Sequence, residues 1–114
     1  MNWLPLVTLD ELTQVDMLSN QPDISAVVIF KHSTRCSISL MAKKVIESEY
    51  QGDITDKVSI YLLDLLNYRS VSDAIALRFG VTHASPQILL IKDGKCVFNT
   101  SHEDCSLSKI KSFI

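Results

Sequence analysis

The sequence is short of nearly every feature that marks a special class of chain. Glycine and proline occur only three times each in 114 residues, and no block of like charge interrupts them, so disorder, collagen-like repeats and low-complexity segments are excluded. A basic stripe is missing. The 11 Lys and Arg are outnumbered by 13 Asp and Glu, giving a formal charge of −2, and nucleic acid is not an expected partner. Long apolar runs are missing too. The purest, Ala26–Phe30, is far short of a membrane span, and no membrane contact is expected. The start, Met1-Asn-Trp-Leu-Pro5, has no charged n-region and no apolar stretch behind it, so no signal peptide is expected and a cytoplasmic location is. Cysteine is scarce and odd in number. Cys36, Cys96 and Cys105 cannot make a dense disulfide framework, and at least one thiol has no partner within the chain.

What remains is ordinary globular composition, 46% hydrophobic and 21% charged, which suffices for a core without staples. A single domain over 1–114 is expected, with no linker and no repeat. Thr8-Leu-Asp-Glu11 is a capping box, and Leu9, Leu12, Val15 and Leu18 follow at helical spacing, predicting a helix near 8–19. Residues 25–31 are a continuous, β-branched apolar run, as in a strand buried on both faces. Ile38, Met41, Ala42, Val45 and Ile46 mark an amphipathic helix near 37–50, stopped by Gly52. Val58–Asp64 reads as a second inner strand. Ser70-Val-Ser-Asp73 resembles another capping box, opening a helix that Gly80 stops. Asp93-Gly94 is a hairpin signal between strands at 87–91 and 95–98. Ser106 is positioned to cap a last helix, and Leu4–Val7 suggests a short first strand. Helix alternating with strand argues an α/β domain with a largely parallel inner sheet, and the closing hairpin must add an antiparallel edge.

The sharpest chemical feature is Cys36, after the polar loop His32-Ser-Thr-Arg at the end of the central strand and at the start of the next helix. Sites form at that edge of open α/β sheets. Unpaired N–H groups and the positive end of the helix dipole favour a thiolate there, as do the basic residues Lys31, Arg35, Lys43 and Lys44. The alternative is a small residue merely buried at a helix start. Cys36-Ser-Ile-Ser39 cannot close an internal disulfide, so resolution of any mixed disulfide requires another thiol. Ser39 is either a hydrogen-bond donor to the Cys36 sulfur or a helix-surface residue. Pro86, opening a strand after Ser85, has two readings, an ordinary strand-start proline or a cis bond. His32 is placed to tune Cys36, although a solvated side chain is the commoner state for it and for His102. Cys96 reads as structural. Cys105, in a polar segment, is the candidate for a second reactive thiol. His102-Glu-Asp-Cys105 matches no strong zinc signature, and no metal is expected.

With these residues in hand the chain resembles thioredoxin-fold proteins. The strand–Cys-x-x-Ser–helix at 25–50 resembles one half. Phe79-Gly-Val-Thr-His-Ala-Ser-Pro86 followed by Gln-Ile-Leu-Leu-Ile-Lys-Asp-Gly-Lys95 resembles the other. Within that fold it is similar to the monothiol bacilliredoxins, the YtxJ-like family of the bacillithiol system. Phe30-Lys-His-Ser-Thr-Arg-Cys-Ser-Ile-Ser39, Ser85-Pro-Gln87 and Ser101-His102 carry that likeness, which runs from about Leu6 to Phe113.

The resemblance implies a central mixed sheet of four or five strands flanked by helices. It implies a cis Pro86 beside Cys36. It also implies removal of bacillithiol, or a similar low-molecular-weight thiol, from S-thiolated protein substrates. Cys36 would attack with Ser39 in support, and Ser85, Pro86, His32 and Thr34 would hold substrate. The small thiol would be a co-substrate, with no bound cofactor. The chain departs from the family pattern at Ser37, where proline usually follows the nucleophile; serine adds an N–H able to bond a thiolate. Two other functions compete with the enzyme: a redox-inert peptide-binding module using the groove at Pro86, and a dithiol sensor pairing Cys36 with Cys105 or Cys96.

Overall fold

A computed structural model describes all 114 residues. Five strands form one sheet, β1 (Leu4–Pro5), β2 (Ala26–His32), β3 (Val58–Asp64), β4 (Gln87–Lys92) and β5 (Lys95–Ser101), in the order β1-β3-β2-β4-β5. β1 and β2 both run parallel to β3, while β4 lies antiparallel to β2 and β5 antiparallel to β4. The parallel pairs require crossovers, supplied by α1 (Leu9–Ser19) and by α2 (Ser37–Glu49) with the short α3 (Ile54–Lys57). α4 (Arg69–Phe79) leads from β3 to β4. This is the thioredoxin-like α/β arrangement expected of the sequence.

β2 divides the core. Ala26, Val28 and Phe30 pack on one side with Ala42 and Ile46 of α2 and with Leu107 and Ile110. Val27 and Ile29 pack on the other with Leu12 and Val15 of α1 and Val71 and Ile75 of α4. Every residue of β2 is buried, which is why its sequence does not alternate. α1 opens on the expected capping box. Thr8 Oγ1 accepts from the Glu11 N–H at 3.2 Å, and Glu11 accepts from the Thr8 N–H at 2.9 Å.

Several elements differ from the sequence reading. The last is a 3₁₀ helix, Leu107–Phe113, rather than an α-helix; its first N–H groups are bound by Glu49, which accepts from Leu107 N at 2.7 Å and Ser108 N at 3.2 Å. The second capping box is not formed. α4 begins earlier, with Tyr68 at the cap and no side-chain cap bond, which places Ser70 inside the first turn. α2 ends at Glu49, three residues before Gly52, and the first strand pairs only over Leu4–Pro5. β5 runs on to Ser101, pairing with Gln87. No helix is long and apolar enough to cross a membrane.

Candidate active site at the end of the central strand

The 33–36 loop leaves β2 at the same end of the sheet at which β4 begins, because the antiparallel register sets Lys31 opposite Gln87. The Ser85–Pro86 peptide, cis and immediately before β4, therefore lies at the edge that carries Cys36. Pro86 is buried, and its carbonyl accepts from the His102 N–H at 2.9 Å, which fastens the start of a second 3₁₀ turn, His102–Asp104, to the same edge. Ser85 Oγ and Gln87 Oε1, on either side of the proline, are buried without a partner inside the chain.

Cys36 is the N-cap of α2. Its backbone is extended, with φ −109° and ψ 121°, its carbonyl accepts from Leu40 N at 3.0 Å, and its side chain makes no capping bond. The residue is partly exposed and no acidic residue stands in the first turn. The free N–H groups of that turn are thus uncompensated by any carboxylate of the helix.

Ser39 does not stand at the sulfur. It is fully buried; its Oγ accepts from the Ser33 N–H at 3.0 Å and lies 2.6 Å from His32 Nδ1. The Ser39 hydroxyl and His32 Nδ1 share that hydrogen bond, so one oxygen ties the ring and the loop backbone together. Both readings of Ser39, sulfur donor and surface residue, give way to that of a lock on the loop. His32 is likewise buried rather than solvated, 3% exposed, and stacked on Phe30. Burial pushes its pKa down, Lys43 adds to this, and Asp64 and Glu47 oppose it, so the ring is neutral at pH 7. Thr34 is exposed at the tip of the loop.

Lys31 belongs elsewhere. Side chains alternate along a strand, so with Phe30 and His32 facing α2 it points to the opposite layer, and it is fully buried against α4. The cations left on the Cys36 side are Arg35, Lys43 and Lys44, and Lys43 is 3.9 Å from Glu47. The strand period alone separates Lys31 from the other three cations.

Cys105 is also not where its polar neighbours suggested. It is 3% exposed in the α2-side core, its Sγ reaches the Thr100 carbonyl at 3.7 Å, and burial pushes its thiol up to about 11. Cys96 reaches the Phe98 carbonyl at 3.3 Å, and burial raises its pKa as well. Alkylation with a neutral reagent at pH 7 is therefore expected to mark Cys36 at least ~10-fold faster than either other thiol. Peptide mass mapping of a time course checks this, and faster labelling of Cys96 or Cys105 would overturn the assignment.

Beside Ser37 an apolar groove of about 390 Å³ runs between Ile38, Met41 and Val45 of α2 and His102 and Glu103 of the 3₁₀ turn. No group of three or more His, Cys, Asp and Glu side chains converges anywhere in the chain.

Comparison with known proteins agrees with this geometry. A family model described as monothiol bacilliredoxin BrxC matches residues 7–110. Among solved structures, the chain is similar to a thioredoxin-fold protein at 28% identity and TM-score 0.79, over 96% of this chain and 91% of that one. It is similar in fold to the thioredoxin of Malassezia sympodialis, with 21% identity, TM-score 0.74, and 97% and 86% of the two chains covered. The thioredoxin of Fasciola hepatica gives 19% identity and TM-score 0.73 over 96% and 93%.

Proposed function

The chain belongs to the monothiol bacilliredoxin family, and on that premise we propose that it removes bacillithiol from protein mixed disulfides through Cys36. The observation that carries the reading is the placement of Cys36. It is a partly exposed residue at the N-cap position of a helix with no carboxylate in its first turn, at the edge that also holds the cis Ser85–Pro86 bond. The Cys36 thiolate attacks the bacillithiol sulfur of the mixed disulfide. A sulfur–sulfur bond forms to Cys36, the bond to the protein sulfur breaks, and the protein leaves as a thiolate that takes its proton from water. Cys36 now carries the small thiol. Ser39 cannot displace it, so the thiolate of a second small thiol attacks, leaving as a symmetrical disulfide and restoring Cys36.

The substrate chain runs along the edge at Ser85 as an added strand, with backbone groups for partners. Ser85 Oγ, buried without an internal partner, is a further polar group at that edge. Thr34, exposed at the loop tip, meets the substrate from the other side, and the groove beside Ser37 takes an apolar side chain. Ser39 and neutral His32 act through the loop they hold. The partners are S-thiolated proteins and the small thiol, and the site of action is the cytoplasm.

The experiment is release of the cap from one model protein carrying, in separate samples, bacillithiol, glutathione or coenzyme A. Intact-mass analysis follows both proteins. The expected result is release fastest from the bacillithiol sample, with the transferred mass on Cys36. Equal rates from all three would overturn the thiol assignment. No release from any would favour the peptide-binding module.

A further inference from the structure

We propose that Lys31 is a positioning residue for this exchange: its side chain, buried on the sheet face away from Cys36, holds His83 and through it the 80–86 segment that presents Ser85 and Pro86. The inference rests on the substrate-presenting role given to that segment above.

The geometry is a small polar cluster inside an apolar layer. Lys31 Nζ donates to the Ser72 carbonyl at 3.2 Å and lies 3.3 Å from His83 Nδ1. Ser72 Oγ is 3.3 Å from the same nitrogen. Lys31 and Ser72 are fully buried, whereas the His83 residue is exposed, so its ring closes the cluster from outside. An ammonium has donors and no acceptor, so Nδ1 must accept, and His83 is neutral with its proton on Nε2. Gln87, across the ladder from Lys31, reaches back to the Thr82 carbonyl at 3.0 Å. The stretch between α4 and Pro86 has no regular structure; the Val81 N–H donates to the Ala76 carbonyl of α4 at 3.1 Å, and beyond Val81 these side chains tie it to the sheet and to α4.

Nothing in packing alone calls for a lysine here. A methionine would fill the same space without the cost of burying an amine. That cost is visible as a Lys31 pKa lowered to about 8 by burial, against the opposing pull of Asp73. His83 is pushed below its ordinary value by burial, by Lys31 and by Arg69, again against Asp73. Asp73 and Arg69, both on α4, are the charged groups that face the pair; β4 brings only neutral Gln87. The charged lysine and neutral histidine coexist between these two titrations. Below the lower one both are cations and the bond is lost, so the segment is loosened, held by Gln87 and the Val81 N–H alone.

The test uses the full chain with Lys31→Met, His83→Ala and the double variant. The Val81 amide, which donates to the Ala76 carbonyl, is expected to exchange at least ~10-fold faster in each single variant, and the His83 titration followed by NMR is expected to move up in Lys31→Met. KM for the protein mixed disulfide is expected to rise about 10-fold with kcat unchanged, and the double variant to match the singles, because both break one contact. Unchanged amide exchange and an unmoved His83 titration would overturn the proposal, as would additive KM effects. Should Lys31→Met not fold, exchange in His83→Ala, altered only at an exposed position, decides alone. Should the wild type release no cap from any substrate, the functional reading fails, while exchange and titration still decide what Lys31 holds.

Discussion

Replacing Cys36 with alanine is expected to slow release of a bacillithiol cap at least ~10³-fold, to the rate of uncatalysed thiol exchange, because the residue that forms the new bond is gone. The control is Cys105→Ala, expected to stay within about twofold of wild type. A thiol pushed up to about 11 by burial stays protonated at pH 7, and Cys105 is buried in the core. The pair of variants separates the routes. Loss in Cys36→Ala with retention in Cys105→Ala is the monothiol result. Loss in both would mean that Cys105 resolves the intermediate after the core opens around it. Activity surviving Cys36→Ala would remove the mechanism. Intact-mass spectra of the reaction check each case, since the wild type carries the small thiol in transit and Cys36→Ala has nowhere to put it.

The placement of the candidate site is more legible in the sequence than its wiring, and the reasons are physical. The strand at 26–32, Cys36 at the helix start and the strand opened by Pro86 are local patterns, each set by a few adjacent residues. Their meeting at one edge follows from parallel pairing plus a terminal hairpin. The wiring depends on contacts between residues distant in sequence, or on side chains that turn inward against their usual preference. Ser39 looks like a helix-surface serine until the 33–36 loop folds back and its N–H needs an acceptor. Cys105 sits among polar residues, yet the turn at His102–Asp104 directs it into the core. In each case a buried partner outweighed a local propensity worth on the order of 1 kcal/mol.

Phe30→Ala is expected to cost about 3–5 kcal/mol, the largest loss of any single truncation near the site. The ring is fully buried on the α2 side of β2, stacked with Trp3 at 5.6 Å and with His32 at 5.5 Å. Removing it leaves a cavity that a central strand, paired on both edges, cannot close by shifting. Because total stability is typically 5–15 kcal/mol, the loss is a large share of it, and the melting temperature should fall on the order of 15 °C or more. The second consequence is local. His32 loses the surface that orients its ring, so the Ser39–His32 bond that anchors the 33–36 loop loosens. Thermal unfolding by circular dichroism checks the first effect, and alkylation of Cys36 well below the transition checks the second. Phe30→Leu, which keeps most of the apolar volume, should recover more than half of the stability. A melting temperature within a few degrees of wild type in Phe30→Ala would mean that the two rings close over the gap and that the stack is not what holds the loop.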